Sequence, residues 1–236
     1  MKAIATTLGL TALLLAGAAS AQTSYRDIKV GTQLDSKGVA FGLLNKPLPL
    51  PQGTWEVVAR NDSRAEITGG DIASTAMMEL TLKSTNAGNS IAAVVVEFSV
   101  DSIPVDWNSN PCTAPDANYV ETLGTTTTSL EYACLSATYF RGGLKDLLAG
   151  APTSTDAWTK SALGGLQAQA AKVADAYTLV ELEVDRSASR KFIFTIFAVN
   201  RQSPAFVQAT NQWARASGQM LLNVLNNKEG AFAPFP

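Results

Sequence analysis

Tyr177-Thr178-Leu179-Val180-Glu181-Leu182-Glu183-Val184-Asp185, then the polar link Arg186-Ser187-Ala188-Ser189-Arg190, then Lys191-Phe192-Ile193-Phe194-Thr195-Ile196-Phe197-Ala198-Val199-Asn200, decide the fold. Leu182 and Val184 alternate with Glu181, Glu183 and Asp185, which is the period of a strand. The second run is dense in aromatic and β-branched side chains, which suit a pleated surface. Together they predict a β-hairpin. Directly after it, Ser203-Pro204 places a good N-cap before a good first helical residue. Phe206, Thr210, Trp213, Ser217, Met220 and Val224 then recur at helical spacing, widened by Ala209, Leu221 and Leu225. Asn226-Asn227 and Gly230 are expected to end that helix, and the Pro-rich tail from about Ala231 is expected to be loose.

Working back toward the N-terminus, other strands are legible. Thr54-Trp55-Glu56-Val57-Val58-Ala59-Arg60 reads as one, and Met77–Lys83 as a second. Ile91–Val100 is almost wholly apolar through Val96, which suits a strand buried on both faces. Asn86-Ala87-Gly88-Asn89 between the last two predicts a hairpin. Thr125–Phe140 reads as a further strand, after a weakly structured stretch over Thr113–Thr128. Residues 141–176 are rich in Gly, Ala, Leu and Gln and read as a helical insertion, with Asp156 as a cap. Prolines at alternate positions in Pro47-Leu48-Pro49-Leu50-Pro51 enforce an extended path and place residues 22–53 along an edge. The expected class is α+β: an antiparallel β-sheet with the long C-terminal helix and the helical insertion packed on one face.

The first residues have a different character. Lys2 precedes an apolar run from Leu8 to Ala19, and Ala19-Ser20-Ala21 offers small residues for cleavage. That is the pattern of a secretory signal peptide over residues 1–21. The run is too short for a comfortable membrane span, which takes ~20 apolar residues. The expectation is a single domain over residues 22–236, with no integral membrane span once the signal is removed. Cys112 and Cys134 are the two cysteines. In an oxidising compartment such a pair defaults to a disulfide. That bond would add ~3 kcal/mol in the chain-entropy model.

Composition narrows the chemistry. The net charge is −2, and the basic residues are scattered, so the chain carries no electrostatic footprint for nucleic acid. It contains no histidine. Ser-His-Asp and Cys-His hydrolases and histidine-ligated metal sites are therefore excluded. No Ser-x-x-Lys, Gly-x-Ser-x-Gly, phosphate-binding loop or dinucleotide fingerprint occurs. No cofactor is implied. Paired carboxylates need no histidine, and Glu97, Glu131, Glu181 and Glu183 are the candidates. Glu181 and Glu183 read as a solvated strand face, and Glu97 as a strand end. Asp106, Asn108 and Asn110 match the first three ligand positions of a calcium loop, but Pro111 stands where the loop needs Gly and Ala117 where it needs Glu. A polar turn beside Cys112 accounts for them better. Trp55 and Trp213 read as packing residues. Trp107 and Trp158, in loop-like settings, are the candidates for contact with a ligand or partner.

Pro47-Leu48-Pro49-Leu50-Pro51-Gln52-Gly53-Thr54-Trp55, the Cys112/Cys134 pair and the late hairpin followed by the Trp213 helix resemble, as short patches, an exported family of Gram-negative proteins. The resemblance implies export and the α+β order, and it carries no activity. With 46% apolar and 16% charged residues, the expected function is a periplasmic or secreted, non-enzymatic protein. It would bind a small apolar ligand between sheet and helix, or an envelope protein. The alternatives are a carboxylate-based, glycosidase-like hydrolase and a secretion or assembly accessory protein. The last would expose an apolar patch near Trp158 or along 192–197.

Overall fold

The structure is a computed structural model that describes residues 23–40, 44, 46–67, 73–100, 112, 114–125, 131–149, 160, 163–173, 175–186 and 190–236. Eight strands are ordered along the chain: β1 (Gln33–Asp35), β2 (Thr54–Ile67), β3 (Ala73–Ser84), β4 (Ile91–Ser99), β5 (Tyr119–Thr125), β6 (Glu131–Phe140), β7 (Tyr177–Arg186) and β8 (Arg190–Val199). They form one sheet in the order β1-β2-β3-β4-β8-β7-β6-β5. Every pairing is antiparallel. Two meanders, β1–β4 and β5–β8, are thus joined by the pairing of β4 with β8. Two helices are described, α1 (Leu144–Ala149) and α2 (Pro204–Leu225), with a 3₁₀ segment at Gln167–Val173. The chain is therefore α+β.

The predicted hairpin is β7 and β8, in register from Tyr177 opposite Val199 to Arg186 opposite Arg190. Its alternation sets two faces. Val180, Leu182, Val184, Phe192, Phe194 and Ile196 point to a core shared with α2 through Trp213, Ala214, Leu221 and Leu225. Phe197 and Tyr177 point the other way, to a smaller core with Leu144, Leu148, Leu166 and Val173. The expectation that both helical regions pack on one face is corrected: the described parts of the insertion lie opposite α2. The reason is in the strands. β4 is buried along nearly its whole length on both faces, and a sheet apolar on both sides needs cover on both.

α2 begins as its sequence predicts, with Ser203 Oγ accepting from the Phe206 N–H. It ends in a Schellman motif. Asn227 takes a left-handed φ of 58°, its N–H reaches the Val224 carbonyl, and the Lys228 N–H reaches that of Asn223. The helix lies close on β6: a Cβ at Gly218 would come within 2.4 Å of Leu135 Cδ2. Glycine there is what lets the two backbones approach.

Two other expectations change. Tyr119–Thr125 is a strand, not loose chain, and is separate from β6 (Glu131–Phe140), with which it pairs. The tail is not loose: Phe232 is buried, stacks on Trp213 at 5.8 Å and meets Phe194 at 5.4 Å. Trp213 Nε1 donates to the Ala233 carbonyl at 2.9 Å. The entry segment supplies the edge strand β1, as expected of residues 22–53, and its proline-rich part also joins the main core through Leu48 and Leu50. Trp55 is fully buried, with Nε1 donating to the Pro51 carbonyl at 2.9 Å. The signal segment, residues 1–21, lies outside the described residues.

Candidate functional site

The space between sheet and α2, where an apolar ligand was expected, is filled by the chain's own side chains. The open space lies on the flank of α2. A groove of about 880 Å³ runs between the first half of α2 and the ends of β5 and β6. Its size falls within the range of small-molecule sites. The sheet side carries Tyr119 and Tyr139, with Asn118, Glu121 and Arg141 around them; the link from β8 contributes Asn200 and Gln202. The helix side presents Pro204, Val207, Gln208, Asn211, Gln212 and Arg215. Gln208, Asn211, Gln212 and Arg215 recur at helical spacing, so beyond Pro204 and Val207 they form one polar stripe down α2 beside the apolar one.

Local chemistry fixes the sheet side. Tyr119 sits opposite Ala137 on the neighbouring strand, so Tyr139 is its diagonal neighbour on the same face. The Tyr139 hydroxyl donates to Asn211 Oδ1 at 2.6 Å, and its backbone N–H donates to Asn118 Oδ1 at 2.9 Å. Burial pushes its phenol up to about 12. Burial also raises Tyr119, helped by its hydrogen bond to Glu121. Both rings thus stay neutral at any working pH. Glu121 is paired with Arg215 at 2.5 Å. Arg141 has no ion-pair partner among the described residues and stands exposed.

The link into α2 is strained at one residue. Gln202 takes φ 50°, a left-handed conformation that costs a non-glycine residue about 1–2 kcal/mol. Its N–H is caught by Asn200 Oδ1 at 2.9 Å, while Asn200 Nδ2 donates to the Phe140 carbonyl at 3.1 Å. Asn200 therefore clamps the link to the end of β6 and turns Gln202 onto the rim.

A second cluster lies on the opposite face of the sheet. Asp185 is completely buried. It accepts a hydrogen bond from the Tyr132 hydroxyl through Oδ2, while its Oδ1 has no hydrogen-bond partner among the described residues. Lys191 is paired with Glu183 and lies 3.8 Å from Asp185. Burial pushes Asp185 up to about 7, and the Lys191 charge offsets this only in part. Burial would lower Lys191, but Asp185 and Glu183 hold it above its ordinary value. Burial likewise raises Glu97 against the pull of Lys191.

Of the carboxylates singled out from sequence, Glu97 and Glu183 belong to this cluster. Glu131 instead pairs with Arg186 at 3.0 Å, and Glu181 is exposed and accepts from Ser136 Oγ at 3.1 Å. The solvated-face reading holds for Glu181, while Glu183 is half-buried and paired with Lys191. Cys112 and Cys134 form the expected disulfide, Cα to Cα 5.2 Å, tying the approach to β5 onto β6. Trp107, Trp158, Asp106, Asn108 and Asn110 lie outside the described residues. Trp55 and Trp213 pack in the core. The strand 192–197 is interior to the sheet, and Phe192, Phe194, Ile196 and Phe197 are buried. It offers no apolar patch.

The chain matches no protein-family model, and neither curated proteins nor solved structures include a significant match to it. Among the described residues no helix is long and apolar enough to cross a membrane.

Proposed function

We propose that this chain is an exported binding protein that holds a polar ligand in the groove beside α2. The observation that carries the reading is the contrast between a filled apolar core and an open groove lined by six amide side chains, two tyrosines and two arginines. Those groups recognise; they are poorly placed to react. The one groove carboxylate, Glu121, is engaged by Arg215 and Tyr119, and both phenols are held protonated. Export rests on the pattern of residues 1–21 and on the Cys112–Cys134 disulfide, a bond at home in an oxidising compartment. The periplasm or the medium is the proposed location.

The test is native mass spectrometry of protein purified from that compartment without denaturant, beside a Gln208→Trp variant that fills the groove. Wild type should carry a non-covalent mass that denaturation releases, and the variant should not. A bare wild type, or equal ligand on both, would overturn the reading.

A second reading has its own observation. Asp185, raised to about 7 and close to Glu183 and Lys191, has the perturbed pKa of a catalytic acid. Its complete burial weighs against contact with a substrate, and the pairing with Lys191 accounts for the cluster as a structural network. A hydrolase of this kind would lose its activity in Asp185→Asn while keeping the fold.

A further inference from the structure

From the charge and hydrogen-bonding inventory of the groove we infer that its ligand is an acidic oligosaccharide, a chain of hydroxyl-bearing rings with at least one carboxylate seated against Arg141. The inference rests on the binding reading above and narrows it to a class.

Three observations carry it. The first is charge. The protein as a whole is negative, at −2, yet the groove has two arginines against one carboxylate. Glu121 pairs with Arg215 at 2.5 Å, which leaves Arg141 as the groove cation with no ion-pair partner among the described residues. α2 opens onto the groove through Ser203 and Pro204, and its first turn contains no acidic residue to offset the positive end of the helix. An anionic group is therefore favoured at this end, and an arginine fork suits a carboxylate in particular.

The second is the amides. Gln202, Gln208 and Gln212 are exposed and make no side-chain hydrogen bond among the described residues. A primary amide is both donor and acceptor, as is a sugar hydroxyl. Three such groups along one trough match a row of hydroxyls better than they match a single small anion. Gln202 is held there at a backbone cost, which is a common mark of a functional position.

The third is the shape and lining. The groove is an open trough, and Tyr119 and Tyr139 are neighbouring rings on its sheet side. An aromatic body with a polar tip suits a ring that has both an apolar and a hydroxylated side.

The experiment is isothermal titration of the mature protein with tetragalacturonate, its fully methyl-esterified form and tetraglutamate. The ester keeps the rings but replaces each carboxylate by a neutral methyl ester, and the peptide carries the charge without the rings. Tetragalacturonate is expected to bind at least about ten-fold more tightly than the ester, a difference of ~1.4 kcal/mol. Arg141→Gln should bring the acid down to the level of the ester and leave the ester unchanged. Gln208→Trp should weaken both. Equal binding of acid and ester would overturn the assignment of the carboxylate. Binding of tetraglutamate in place of the sugars would overturn the sugar class. If no probe binds while native protein still carries a mass that Gln208→Trp abolishes, the sugar inference fails and the groove remains a binding site. If native protein is bare as well, both readings fail together.

Discussion

The two flanks of α2 differ in what covers them. On one, Trp213 stacks on Phe232 and meets Phe235 edge to face at 5.1 Å, and Phe206 meets Phe235 edge to face as well. The chain's own C-terminus closes that flank. On the other, Gln208, Gln212 and Arg215 face an open trough whose polar groups are only partly paired with each other. One helix thus serves as a core element on one side and as a wall of a site on the other. Among the described residues, the two with left-handed backbone outside glycine repeat the contrast. Asn227 closes the helix in a motif that satisfies its last carbonyls. Gln202, just before the helix begins, satisfies no carbonyl of the helix and presents its side chain at the rim. The difference separates what the fold needs from what is left for a ligand.

The comparison can be broken most forcefully on the closed flank. Trp213→Ala should cost about 3–5 kcal/mol, as for a large buried aromatic, read as a drop in the urea midpoint. A loss below 1 kcal/mol would show that the tail contributes little. Removing the disulfide with the Cys112→Ser, Cys134→Ser double variant should cost ~3 kcal/mol, since the bond spans a sequence separation of 22. The cost should appear in stability, with the groove's ligand still bound by the folded fraction.

Asp185 gives a prediction on neither flank, and so a control. Its carboxyl is raised in the folded protein to about 7, above its ordinary value of 3.8. The folded state therefore holds a proton that the unfolded state has released between those values. The contribution is fully present below about pH 4, falls as pH rises, and is lost above about pH 7. Urea midpoints of wild type at pH 5, 6 and 8 should fall more steeply than those of Asp185→Asn. A variant with the same slope as wild type would show that Asp185 does not carry the effect. The smallest change in stability is expected at the rim. Gln202→Gly relieves the left-handed strain but adds freedom to the unfolded chain, so the two should cancel to within ~1 kcal/mol. Ligand retention should fall all the same, because the amide is gone.

Much of the closed flank was legible in the sequence. The apolar stripe through Trp213, the Ser203-Pro204 start and the β7–β8 alternation each follow a period that burial imposes, and the structure keeps all three. What escaped was governed by partners distant in the chain. Phe232 looks like tail until Trp213 and Phe194 are seen to receive it. Asp185 continues an outward-facing acidic alternation, yet Lys191 and Tyr132 enclose it. β5 has a weak pattern of its own and is held by pairing to β6 and by the disulfide. The groove was hidden for another reason. Gln208, Asn211, Gln212 and Arg215 do recur at helical spacing, but any surface helix has a polar face. Only the placement of Tyr119 and Tyr139 across from that face turns it into a site.

The most direct test of that site is an NMR titration of isotope-labelled protein with the compound released by denaturing natively purified protein. The account predicts shifts at the backbone amides of Asn118, Tyr139, Gln202, Gln208, Asn211 and Arg215, with Phe232 and Trp213 unmoved. Shifts centred on Trp213 and the tail, with the groove amides silent, would contradict it.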